Sequence, residues 1–151
     1  MNRQVYCNSN TLGAKKSIIA NVKAFEVNPT IKYNTHDNYF GDTIADLKFA
    51  AQCDLLFLCA DIDHNWIKQR TMLKLLLANN IPMIDCAVNI YGPYCQLFTK
   101  SNIDLFDKYT NDQKYWLTHK ETENTPQPAY LCAMSAAKGI EMMIEYFSPL
   151  A

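Results

Sequence analysis

Two cations near the start of the chain, an Asp-Ile-Asp loop and six cysteines are the residues whose types suit chemistry. Arg3 carries a planar, permanently charged fork that matches phosphate oxygens. Lys16 is a compact point charge. Asp61 and Asp63 flank Ile62 directly after an apolar run, and Asp61, at the carboxyl end of that run, stands where α/β folds put ligand groups and suits a hard divalent cation. Taken alone, each has a plainer reading. Arg3 and Lys16 read as solvated charges, and Asp63 or Asn65 as the cap of a following helix. The cysteines are Cys7, Cys53, Cys59, Cys86, Cys95 and Cys132. They contain no C-x-x-C pair, so no structural zinc is expected. Cys59 and Cys86 lie in apolar runs and are expected as buried thiols of a reducing compartment. His36, His64 and His119 fall in polar segments without an evident partner.

The elements that position these residues follow from periodicity and punctuation. Thr11 is expected to cap a helix running to about Val27, with Ile18, Ile19, Val22 and Phe25 on one stripe. Asn28-Pro29 ends it. Thr30 to Asn34 reads as a short strand, and 36–41 as a loop. Asp42 is expected to cap a second helix with Ile44, Leu47 and Phe49-Ala50 turned inward. The run from Asp54 to Ala60 reads as a central parallel strand buried on both faces. A helix from about Trp66 to Asn79 follows, with Ile67, Met72, Leu73, Leu76 and Leu77 toward the sheet. Pro82 to Val88 and Tyr94 to Phe98 read as strands. Residues 101–128 read as a polar extended connection with one helical turn at Gln113 to Trp116. Ala129 to Phe147 is an amphipathic C-terminal helix whose Met and aromatic positions suit a core or a dimer interface. This order is the grammar of an α/β protein with an open, mainly parallel sheet.

Composition narrows the class. The chain has 151 residues, 49% of them hydrophobic, which suits one domain over residues 1–151 and excludes disorder as its main state. A formal net charge of -1 offers no footprint for nucleic acid or an anionic membrane surface. No apolar run approaches the roughly 20 residues of a membrane-spanning helix, and the N-terminal residues lack the apolar core of a signal peptide. A cytoplasmic location is expected.

Several segments, in order, resemble the ThiF/MoeB/ubiquitin-activating family of ATP-dependent adenylyltransferases. Asn2-Arg3-Gln4 is similar to the family's N-R-Q, and Leu12-Gly-Ala-Lys-Lys16 to its V-G-x-x-K. Asn28-Pro29 resembles the N-P that closes the next helix. The Asp54–Asp61 segment is similar to D-x-V-x-x-x-x-D, and Asn80–Asp85 to the G-x-P-x-I-x strand. Gln96-Leu-Phe98 resembles G-Q-V-x-x-F, and Ala136–Glu141 the small-residue stretch of the last helix. The resemblance implies a Rossmann-like fold and a reaction in which a carboxylate attacks the α-phosphate of ATP. The carboxylate is usually the terminal glycine of a ubiquitin-like or sulfur-carrier protein, and the products are an acyl-adenylate and pyrophosphate. It further implies Arg3 and Asp61 as catalytic, Asn2, Arg3, Gln4 and Lys16 as ATP-binding, and Asp61 as the Mg²⁺ ligand. A homo- or heterodimer is implied as well.

The departures are specific. The family's G-x-G-G-x-G loop and ribose-binding Asp precede N-R-Q, which here stands at residues 2–4, so the pattern is that of a domain truncated at its N-terminus. Of Gly13, Gly41, Gly92 and Gly139, none forms a phosphate loop. Inserted Ile62-Asp63-His64 blurs whether Lys68, Gln69 or Arg70 matches the family arginine. Cys95 replaces a usual glycine, and the catalytic-cysteine loop gives way to the polar 101–128 stretch. Three readings follow: an adenylyltransferase domain that needs a partner chain for activity, a non-catalytic dimerising subunit that binds a ubiquitin-like protein or peptide, and a bare small-molecule-binding domain.

Overall fold

The computed structural model describes residues 6, 8–36, 39–59, 66–89, 92–118 and 129–148. Within them lie five α-helices and a three-stranded mixed sheet. The helices are α1 (Lys16–Val27), α2 (Ile44–Ala50), α3 (Trp66–Ala78), α4 (Ile103–Thr118) and α5 (Ala129–Phe147). The strands are β1 (Leu56–Leu58), β2 (Met83–Asn89) and β3 (Gly92–Phe98), in the spatial order β1-β2-β3.

β1 runs parallel to β2, with Leu56 beside Met83 and Leu58 beside Asp85. β2 and β3 form an antiparallel hairpin that sets Met83 opposite Phe98 and Cys86 opposite Cys95. Alternation along the strands then divides the side chains between two faces. Leu56, Met83 and Phe98 join Leu73, Leu76, Leu77 and Phe106 in the core, under α3 and α4. Phe57, Ile84 and Cys86 face the other way, where α5 packs across β2 and β3. The result is helices on both faces of a small sheet.

The expected α/β class stands, with corrections in detail. β1 is an edge strand that pairs only with β2 among the described residues, not a central strand buried on both faces. Phe57 on it is 40% exposed. The sheet holds one parallel and one antiparallel pair rather than a mainly parallel set. Thr30 to Asn34 joins no strand. Asn28 Oδ1 instead accepts from the Thr30 backbone N–H (3.1 Å) and hydroxyl (2.7 Å), turning the chain just after α1.

Helix ends differ for local reasons. Thr11 does not cap α1, because its hydroxyl donates to the Tyr6 carbonyl (2.7 Å) and accepts from the Asn8 N–H (2.9 Å) in an upstream turn. The helix starts only at Lys16, with Lys15 in the cap position. Thr43, not Asp42, caps α2: the Asp46 carboxylate reaches back to accept from the Thr43 N–H at 2.9 Å. Ile44 and Ile67, expected inward, are 68% and 71% exposed at the first turns of their helices. α3 ends as expected at Asn79-Asn80. Asn80 adopts φ 65°, the Ile81 N–H returns to the Leu76 carbonyl, and the Asn80 N–H to that of Leu77.

The largest correction is α4. Ile103, Phe106 and Thr110 recur at helical spacing, and Phe106 and Thr110 are buried, so a helix of 16 residues occupies the first part of the expected extended connection. An ion-pair cluster fastens it to α3. Asp107 accepts from Arg70 (2.9 Å) and Lys74, while Arg70 Nε donates to Thr110 Oγ1 at 2.6 Å.

Candidate functional site

Ligands of open α/β sheets sit beyond the carboxyl ends of the parallel strands. Here that is the end of β1 and β2. Asp61, expected there, lies outside the described residues, as do Asn2, Arg3, Gln4, Cys7, Asp63, His64 and His119. Lys16 is described. It is the exposed first residue of α1, a helix with no buried residue and no extensive packing against the sheet. His36, expected without a partner, lies tilted against Phe49 with ring centroids 4.3 Å apart.

Two clusters occupy the sheet near that end, one on each face. On the α4 face, Asp85 of β2 accepts a 2.6 Å hydrogen bond from the Tyr109 hydroxyl. The Tyr109 ring lies between two β3 rings, stacked on Tyr94 at 5.6 Å and tilted against Phe98 at 5.5 Å. Burial pushes the Asp85 carboxyl above the ordinary carboxylate range, and the Tyr109 hydrogen bond opposes that rise. Tyr94 is pushed up to about 12, first by burial and then by the nearby Asp85 charge.

A pH dependence of stability follows from Asp85. Its folded-state pKa is raised, so the native chain holds this proton longer than the unfolded chain does. Its stabilising contribution is present in acid and is lost as pH rises from the ordinary carboxylate range through the folded pKa. Asp85→Asn removes that slope and leaves an acceptor for Tyr109, so it raises the urea midpoint at neutral pH. Tyr109→Phe strips the donor from a half-buried carboxylate and costs about 1–3 kcal/mol at neutral pH. Urea melts from acid to neutral pH check both, and an unchanged slope in Asp85→Asn contradicts the assignment.

On the α5 face stand three thiols. Cys95 Sγ lies 3.4 Å from Cys86 Sγ. Cys95 also donates to the Ser135 backbone carbonyl at 2.9 Å, and Ser135 Oγ donates to the Tyr94 carbonyl at 2.8 Å. Cys59 follows the last paired residue of β1, so the register continues it to a place beside Cys86. Cys59 is exposed as a residue, which corrects its expectation as a buried thiol, and Cys86 and Cys95 are half-buried. Burial nonetheless pushes the Cys59 and Cys86 thiols up. Sequence reading missed this row. The signal was there in the two apolar runs that pair as β2 and β3 and set Cys86 against Cys95.

Among the described residues, no group of three or more His, Cys, Asp or Glu is placed to hold a metal ion. Among them, too, no helix is long and apolar enough to cross a membrane. The glycines do not supply a phosphate cradle either. At Gly139 a Cβ would meet Cys86 Sγ, and at Gly41 it would meet Gln69, while Gly13 and Gly92 stand singly on open surface. No protein-family model matches the chain, and no curated protein matches it.

Proposed function

We propose that this chain is a Rossmann-like, ThiF-type subunit of an ATP-dependent adenylating assembly that activates the C-terminal carboxylate of a ubiquitin-like or sulfur-carrier protein. The order of family-like segments along the sequence carries the reading. The layered α/β arrangement is consistent with it. Arg3, Lys16 and Asp61, with Asn2 and Gln4, are the residues that would meet ATP and Mg²⁺. Because no glycine here forms a phosphate cradle, the nucleotide needs groups from a partner chain, and no catalytic step is assigned to this chain alone.

A second reading is a non-catalytic dimerising subunit. It is favoured by α5, whose sheet-facing residues Ser135 and Gly139 are buried while Ile140, Ile144 and Phe147 on its outer side are exposed. Titration of Mg-ATP onto the purified chain, with sedimentation of the same sample, separates the two. Binding at cellular ATP concentrations that disappears in Arg3→Ala and in Asp61→Ala supports the adenylating subunit. Absence of binding together with a tight dimer supports the non-catalytic one. A monomer that binds no nucleotide overturns both.

A further inference from the structure

We propose that Cys59, Cys86 and Cys95 form a thiol relay that carries oxidation from the exposed end of β1 to a cross-strand disulfide between β2 and β3. The proposal is independent of the adenylating reading, since it uses no nucleotide and no partner chain. Three observations carry it. Cys86 and Cys95 are directly opposed in an antiparallel pair with sulfurs 3.4 Å apart. Opposed residues in such a pair have Cα atoms about 4.5–5.5 Å apart, inside the range a disulfide spans. Cys59 comes next after the Leu58–Asp85 pair in the β1–β2 register, beside the same Cys86 on its other side, and is the exposed member of the three. The three sulfurs thus form a row across three neighbouring strands with Cys86 in the middle. A row cannot close around one ion, but it suits thiol–disulfide exchange, in which a thiol attacks one sulfur of a bond as the other departs.

With hydrogen peroxide as oxidant the steps balance. In its thiolate form, made scarcer by the burial that raises the thiol, Cys59 sulfur attacks one peroxide oxygen; the O–O bond breaks, the departing hydroxide takes up the thiol proton as water, and a sulfenic acid is left on Cys59. Cys86 sulfur attacks that sulfur; the S–O bond breaks, a second water leaves, and a Cys59–Cys86 disulfide forms. Cys95 sulfur then attacks Cys86, breaking the first disulfide and returning a thiol, with its proton, to Cys59. The sum is one peroxide and two thiols giving one disulfide and two waters. The final bond removes the Cys95 S–H from the Ser135 carbonyl, so the state of the relay is felt by the helix packed on it.

Trypsin makes the states distinguishable. Cleavage after Lys74 and Lys100 releases one peptide holding both Cys86 and Cys95, while Cys59 falls in the separate peptide between Lys48 and Lys68. The folded full-length chain is exposed to hydrogen peroxide, quenched at intervals with an alkylating agent, digested without reductant and read by mass spectrometry. The 75–100 peptide is expected to lose two hydrogens and to refuse alkylation. Linked peptides 49–68 and 75–100, joined through Cys59 by fragmentation, are expected to appear first and then decay. Cys59→Ser is expected to slow closure several-fold, and Cys95→Ser to stop at the linked pair. A 75–100 peptide that stays fully alkylated overturns the disulfide. Closure that shows no linked precursor and keeps its rate in Cys59→Ser overturns the relay. If a variant fails to fold, the order in which the linked and closed peptides appear in the unaltered chain still decides between these outcomes.

Discussion

Phe98→Ala is expected to destabilise the chain by about 3–5 kcal/mol, with an unchanged urea m-value and a much lower midpoint. The side chain is fully buried at the C-terminal end of β3, paired with the equally buried Met83. Its ring meets Phe106 edge-on at 5.4 Å and Tyr109 at 5.5 Å. Truncation loses both the transfer free energy of the ring and its contacts with α4, and it leaves a cavity among groups held by α3, α4 and the sheet. A domain's net stability is about 5–15 kcal/mol, so this one change removes a large part of it. The effect reaches the polar cluster, because Tyr109 leans on Phe98 and donates to Asp85. Phe98→Leu keeps most of the volume and is expected to cost less than half as much. Tyr130→Ala, at a position 64% exposed, is expected to stay within about 0.5 kcal/mol of the parent. If Phe98→Ala and Tyr130→Ala melt alike, the core is not where these contacts place it.

What the sequence made legible follows from the range of the forces involved. α3 was readable at both ends because its apolar spacing and its Asn-Asn stop are local, and β2 was readable because a proline precedes a compact apolar run. α4 was not, because among its described side chains a stripe of Ile103, Phe106, Tyr109 and Thr110 turns inward while its sequence is polar enough to look like a connection. β1 was identified as a strand but misplaced as central. An apolar run reports that a strand is covered, not that it has a neighbour on both sides, and the Thr30–Asn34 segment expected as a further strand does not join the sheet. The same distinction governs the candidate site. Asp85 was visible as part of a strand, yet its tie to Tyr109 spans 24 residues and depends on a helix the sequence concealed. Strand alternation puts Asp85 on the Met83 face, but only α4, which brings Tyr109 there, makes a hydrogen-bonded cluster of it.

Gly139 makes the opposite kind of prediction, in which adding atoms does the damage. Glycine costs about 1 kcal/mol against alanine inside a helix, so propensity alone favours replacing it. The fold opposes that. A Cβ built at Gly139 would stand 2.5 Å from Cys86 Sγ, 3.2 Å from Phe57 Cε1 and 3.5 Å from Ile84 Cγ2. α5 lies this close to the sheet because a residue without a side chain faces it there. Gly139→Leu is expected to lift the helix off β2 and cost about 3 kcal/mol or more. Gly139→Ala has a smaller net loss, since the sulfur can yield partly and the helix gains propensity. Cys86 Sγ is the atom in the way, so the combination Cys86→Ala with Gly139→Ala is expected to recover the loss of Gly139→Ala and to be more stable than additivity allows. Urea melts of the four chains of that cycle measure the coupling directly. Strict additivity, or a Gly139→Leu chain as stable as the parent, would mean that α5 does not seat on the thiol row. The close approach that holds the helix down would then be lost, and with it the route by which oxidation of Cys86 and Cys95 is felt in α5.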